Sequence, residues 1–278
     1  MSTFMLTIIL AAALLHASWN IIVKKGGNKL FETGLTATGA FLPALCFLPF
    51  LPLPAPASWP FLCLSSLCHT AYYVCMASAY EKTDLSVGYT VMRGAAPLIT
   101  SIVLLCFGMG LSLLAWIGVC ALCAGILSLA GEAKGRKYGW RGLNSALLTA
   151  VVIAAYTLTD GLGARASGDG ASYACWLFAL KMLPMQAFLV LRHGKAYLNY
   201  VSGKPTPGIL GGMACFVSYG IAIWAMTKAP IAMVAALRET SVIFGMLLSV
   251  LFLHEKFTLP RVVAVVLVTS GAALLKVS

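Results

Sequence analysis

Along this chain apolar residues come in long continuous runs, without the apolar/polar alternation over about ten residues that marks a barrel strand. A helix crossing a bilayer core of roughly 30 Å needs about 20 mostly apolar residues at 1.5 Å rise each. Ten runs meet that length: Thr3–Val23, Phe31–Leu53, Phe61–Ala79, Ser86–Phe107, Leu111–Ala130, Leu143–Gly163, Ala171–Leu191, Gly208–Met226, Ile231–Leu253 and Leu259–Leu275. The connections between them are short. Even the longest, Gly131–Gly142 and Arg192–Pro207, hold too few residues for a further domain. The pattern therefore predicts an all-α membrane protein of ten transmembrane helices.

Composition agrees. Of 278 residues, 60% are hydrophobic and 10% charged, against about 25% charged in a soluble domain. The formal charge of +11 does not point to nucleic acid, because the basic residues flank spans, as in GEAKGRKYGWRG (131–142) and RHGKAY (192–197). There they anchor helices and set topology. The nine cysteines are scattered through apolar runs, and Cys120-x-x-Cys123 sits mid-span with no histidine near it in sequence. They read as small packing residues, and no metal or cofactor is expected. The first run lacks a basic leader and a clear cleavage site and is followed by Lys24-Lys25, so it is retained as a helix.

Ten spans put both termini on one side and sort the loops into two sets. One set holds 13 of the 19 Lys and Arg residues; the other holds Arg165, Lys228 and Lys276, with Arg93, Lys181 and Arg238 inside spans. The excess of basic loops on the cytoplasmic side places both termini outside the cytoplasm.

The charges within spans carry the functional argument. A charge at bilayer depth costs a few kcal/mol, so it faces a bundle interior or an aqueous cavity, or else it is paired. Arg93 in YTVMRGAAPLITSIVLLCF and Arg238 in VAALRETSVIFGMLLSVLF stand 145 residues apart, and Phe107 and Phe252 recur at the same offset. If the chain is a repeat, five spans per half forces the halves to lie inverted, with a site between them near the midplane. The expected divisions are residues 1–132 and 142–278, joined by a basic connecting loop at 133–141. Glu239 cannot readily pair with adjacent Arg238 on a helix; Lys181 or Arg93 is the expected partner. His16, Asn20 and Lys24 fall on one stripe of the first span, and Tyr156, Thr159, Asp160 and Gly163 on one stripe of the sixth. Tyr89 shares the face of Arg93. Each also has a structural reading: Asn20 and Trp19 as interface anchors, Asp160 as a solvated boundary carboxylate, the tyrosines as packing. Pro97 and Pro184 read as hinges or static bends, and Gly208-x-x-x-Gly212 and Ala121-x-x-x-Gly125 as close helix contacts.

The stretches LLHASWNIIVKKGGNK (14–29), YEKTDLSVGYTVMRGAAPLI (80–99), YTLTDGLGARASG (156–168) and APIAMVAALRETSVIFG (229–245), the last followed by LFLHEKFT, resemble the bacterial EamA-type branch of the drug/metabolite transporter superfamily. The resemblance spans both halves. It departs from the family pattern where Met109-Gly110 stands in place of a Gly-Glu pair, while His254-Glu255 keeps the acid in the second half. It implies two inverted five-helix repeats, a central cavity and alternating access in the bacterial inner membrane, with outward movement of a small polar metabolite, anionic or amino-acid-like. Arg93, Arg238, Tyr89, Lys181, Asn20 and Tyr156 are then the candidate substrate-binding residues, and Glu239, His16 and Asp160 the candidates for a coupling proton or an ion pair. The implied partners are substrate, bilayer and protons, with a monomer or homodimer as the working unit. A flippase for a lipid-linked or phosphate-bearing head group is the rival within transport. A membrane enzyme lacks a clustered catalytic set, and a receptor would leave the buried charges unexplained.

The family habit of cytoplasmic termini opposes the loop count. The loop count predicts that a reporter active only in the cytoplasm is silent when fused to the C-terminus; an active fusion would reverse the orientation.

Overall fold

The computed structural model describes residues 1–25, 27–82, 85–129, 140–203, 206–253 and 258–278. They form eleven α-helices: α1 (Thr3–Lys25), α2 (Lys29–Phe47), α3 (Trp59–Lys82), α4 (Leu85–Cys106), α5 (Leu113–Ser128), α6 (Trp140–Ala166), α7 (Gly170–Gly203), α8 (Thr206–Lys228), α9 (Ile231–Arg238), α10 (Ser241–Leu253) and α11 (Leu259–Val277). No strand occurs among the described residues. Most of the basic connecting segment, and the His254-Glu255 pair, lie outside the described residues. Among the described residues nine stretches are long and apolar enough to cross a membrane, with α9 and the start of α10 counted together, and α5 adds a shorter apolar helix of 16 residues. Both termini lie at one end of the bundle, where the Met1 amino group donates to the Lys276 carbonyl at 2.9 Å.

Helix ends follow local chemistry. The Asn28 side chain accepts from Phe31 N at 3.1 Å, Ser112 from Ala115 N at 3.2 Å, and Asp169 from Ala171 N at 2.8 Å, satisfying N–H groups that a helix start leaves open. Gly108, at φ 74°, makes the left-handed turn after α4.

Two sequence expectations are corrected. Arg192–Pro207 was expected as a connection, yet the chain there stays helical to Gly203 after a break at Gly194 (φ 47°, ψ −123°). Its polar composition masks a packed face: Tyr197 is buried, and its hydroxyl donates to Gln186 at 2.8 Å. The ninth span is also not continuous. It stops at Arg238 and restarts at Ser241.

In the packing, α3 lies on α6 and α1 on α8; α2 lies on α8 and α3 on α7; α4 lies on α6 and α1 on α10; α5 packs on α11 and α2 on α7. Glycines set the closest approaches. A Cβ added at Gly39 would fall 2.2 Å from the Ile209 carbonyl oxygen, and one at Gly212 would fall 2.3 Å from that of Thr36, so α2 and α8 touch backbone to backbone. Gly125 lies close to α11, where an added Cβ would fall 2.8 Å from Leu267 Cβ and 3.0 Å from Val268 Cγ2. Both small-residue motifs thus mark real crossings, the contact type that replaces hydrophobic exclusion inside lipid.

Gly39→Ala is expected to lower the thermal unfolding midpoint in detergent by roughly 2–8 °C, from overpacking of about 1–3 kcal/mol. Gly220→Ala, in the interior of α8 and with nothing within 4 Å of the added methyl, is expected to keep the midpoint or raise it slightly, since alanine is the better helix former.

Candidate functional site

The break in the ninth span falls on the Arg238-Glu239 pair, and its hydrogen bonds show how. Glu239 N bonds to Ala236 O at 3.0 Å and Thr240 N to Leu237 O at 3.1 Å, both a residue tighter than an α-helix; the ladder resumes with Phe244 N on Thr240 O at 3.2 Å. Arg238 therefore occupies the C-terminal end of α9, and Glu239 precedes the N-terminal end of α10. Each charge has the sign favoured by its helix end.

Glu239 reaches α4. Its Oε2 lies 2.6 Å from Arg93 Nε, although that N–H is not aimed at the oxygen, so the contact is Coulombic without an aligned hydrogen bond. Arg93, 1% exposed, also donates from Nη2 to Ser241 Oγ at 3.0 Å, and its guanidinium carbon lies 5.9 Å from the centre of the Tyr89 ring. The first and second halves of the chain thus meet at one buried ion pair. Of the two partners expected for Glu239, Arg93 is the one found.

Asp160 is fully buried, not a solvated boundary residue. Its carboxylate faces donors from three helices: His69 Nε2 on α3 at 3.1 Å, Tyr173 OH on α7 at 3.2 Å, and Tyr219 OH on α8. The His69 ring stacks on Tyr156 with centroids 4.3 Å apart and meets Tyr219 edge-on at 5.4 Å.

Two more cations flank Tyr219. The Arg238 guanidinium carbon is 4.5 Å from its ring centre; Lys181 Nζ is 5.4 Å from that centre and 3.7 Å from the Phe178 ring. Arg238 and Lys181 are 5% and 3% exposed. Among the described residues neither forms a hydrogen bond or an ion pair.

His16 and Asn20 on α1 engage each other, and buried His16 also lies within electrostatic reach of Arg93 and Arg238. Trp19 Nε1 donates to His16 Nδ1 at 3.2 Å and Asn20 Nδ2 donates to the His16 carbonyl at 2.8 Å. Trp19 is 2% exposed, inside the bundle and not at a headgroup belt. The Lys24 side chain lies outside the described residues.

The structure thus brings Arg93, Tyr89 and Glu239 into one cluster and Asp160, Tyr156, Lys181 and Arg238 into another that shares Tyr219. His69, Tyr173, Phe178, Tyr219 and Ser241 were not expected from sequence. His69 carries the same signal as His16, an ionisable side chain deep in an apolar run. The aromatic residues carry no such signal, because rings are common throughout these spans.

The arrangement defines a class, a multi-span helical membrane protein with buried ionisable groups converging between helices from both halves. Residues 140–277 match the model of the EamA-like transporter family, and the chain is a member of that family within the drug/metabolite transporter superfamily. A crystal structure of another protein shares the fold with a TM-score of 0.76 at 18% identity, covering 99% of each chain. No curated protein matches.

Arg93→Gln leaves Glu239 buried without its counter-charge and is expected to cost roughly 3–5 kcal/mol of stability. The Arg93→Gln/Glu239→Gln double variant is expected to recover most of that loss in thermal unfolding. A double-variant loss equal to the sum of the Arg93→Gln and Glu239→Gln losses would show that the pair is not coupled.

Proposed function

We propose that the chain is a secondary transporter of a small organic anion, working by alternating access in the bacterial cytoplasmic membrane, with Arg238 and Lys181 as the charges that receive the substrate. One observation carries this reading. Two buried cations beside Tyr219 form no hydrogen bond or ion pair among the described residues, where their contacts are with aromatic rings. A buried unpaired charge is costly, and a negative ligand removes the cost when it binds. Arg93 is already committed to Glu239 and Ser241, so it enters as the group that holds the break and, with Tyr89, shapes the wall. Asp160 has three donors and offers little to a substrate ammonium, which favours a plain anion over an amino-acid zwitterion. The His69–Asp160 pair is the candidate for a coupling proton. Outward movement rests on the resemblance to the family.

The division into inverted five-helix repeats, 1–132 and 142–278, has support from the packing. Exchanging the halves turns the α3–α6 contact into α8–α1, and α2–α8 into α7–α3. The same exchange turns α4–α6 into the contact of the ninth span with α1, and leaves α5–α11 and α2–α7 in place. Each of these contacts is present, which is the pattern of a pseudo-two-fold axis.

Uptake of radiolabelled mono- and dicarboxylates and organophosphates into proteoliposomes tests the reading. Arg238→Gln and Lys181→Gln are each expected to lower uptake of the transported anion roughly 10- to 100-fold, the loss of one charge-assisted hydrogen bond. Normal transport by both variants would remove these residues from the path.

A further inference from the structure

Away from the central cluster, a pocket of about 350 Å³ opens at the end of the bundle where α6 and α8 finish and α7 begins. It is lined by Arg165, Asp169, Trp224, Thr227 and Lys228 with Ala164, Gly168 and Gly170. Its size falls in the small-molecule range of roughly 300–1,000 Å³. The spans of α6 and α8 end at Ala166 and Lys228, and that of α7 starts at Gly170, so the pocket lies at the level where the chain leaves the apolar layer.

Among the described residues its polar groups are only half used. Arg165 donates from Nε to the Met226 carbonyl at 2.9 Å and from Nη2 to the Ala229 carbonyl at 2.8 Å, which fixes the guanidinium against the end of α8 and leaves Nη1 free. Asp169 Oδ1 accepts from Ala171 N and Ser172 N, leaving Oδ2 free. The Ala171 and Ser172 N–H groups at the start of α7 are therefore already occupied. Lys228 makes no hydrogen bond or ion pair among the described residues. Gly170 keeps α7 close to α8: a Cβ there would fall 3.0 Å from Thr227 Cγ2. Gly168, in a left-handed turn at φ 78°, leaves the mouth clear, with nothing within 4 Å of an added Cβ.

We propose that this pocket binds a phosphoethanolamine group. Arg165 Nη1 and Lys228 hold the phosphate, and Asp169 Oδ2 accepts from the primary ammonium. A lone phosphate would face the Asp169 carboxylate. A trimethylammonium group has no N–H to donate. Trp224 beside the polar groups suits the interface, where its ring meets the glycerol and upper acyl region of a lipid. The free valences of the pocket, two cationic and one anionic, match this zwitterion and set it apart from the anion-receiving cluster around Tyr219.

The full-length protein in detergent, with phosphatidylethanolamine, phosphatidylglycerol or phosphatidylcholine added at equal concentration, tests the proposal by its thermal midpoint. A ligand that binds only the folded state raises the midpoint with concentration. Phosphatidylethanolamine is expected to raise it most. Lys228→Gln is expected to weaken apparent affinity for both phosphatidylethanolamine and phosphatidylglycerol by roughly tenfold. Asp169→Asn keeps an oxygen to cap α7 and is expected to remove only the advantage of phosphatidylethanolamine over phosphatidylglycerol. Soluble glycerophosphoethanolamine separates the sources: protection by it assigns the site to a free metabolite, and protection by the lipid alone assigns it to a headgroup. Equal shifts from all three lipids, or an unchanged preference in Asp169→Asn, would overturn the proposal.

Discussion

The ion pair between Arg93 and Glu239 is the constraint on which the rest of this structure depends. Both groups are almost wholly buried, and an isolated charge there would be unaffordable in a medium that offers no water. Their contact joins α4 to the ninth span at the point where that span is broken. With the break fixed, Glu239 turns toward α4 while Arg238 turns toward Tyr219 and the cluster on α6, α7 and α8. One charge is neutralised within the protein. The other meets the Tyr219 ring and, among the described residues, no carboxylate, and the proposed anion site rests on that asymmetry.

The helix break makes this arrangement cheap. In an unbroken helix two adjacent opposite charges would each interrupt an apolar surface. At a break they fall on two helix ends of opposite polarity, so Arg238 meets the carbonyl end of α9 and Glu239 the N–H end of α10. The backbone groups released at such a break must be satisfied inside protein, and here residues 239–241 are all buried and the turn carries its own hydrogen bonds. Discontinuous helices near the midplane recur at transporter binding sites for this reason.

Much of this was legible in the sequence. Run lengths located the spans, because a bilayer imposes a nearly fixed apolar length, and the intramembrane charges Arg93, Lys181, Arg238 and Glu239 stood out against an apolar background. The break at Glu239–Thr240 left only a weak trace, since neither proline nor glycine marks it and the poorer helix formers Thr240 and Ser241 are common within helices. Asp160 stayed open between a buried role and a solvated boundary because its span was expected to end at Gly163, whereas α6 runs on to Ala166 and buries the carboxylate. His69 carried a visible signal, but Tyr173, Phe178 and Tyr219 became meaningful only once α3, α6, α7 and α8 were packed together. The helix after Gly194 was hidden by its charged residues, which read as loop although Tyr197 among them is buried.

The central claim is that Arg238 and Lys181 are held open for a negative ligand by a neighbouring pair that neutralises Arg93. An experimental structure with a transported organic anion bound tests this most directly. The account predicts the acidic group within about 3 Å of both the Arg238 guanidinium and the Lys181 amine, beside the Tyr219 ring, with the Arg93–Glu239 contact intact. An anion seated on Arg93 with Glu239 displaced, or Arg238 closed onto a carboxylate of the protein, would contradict it.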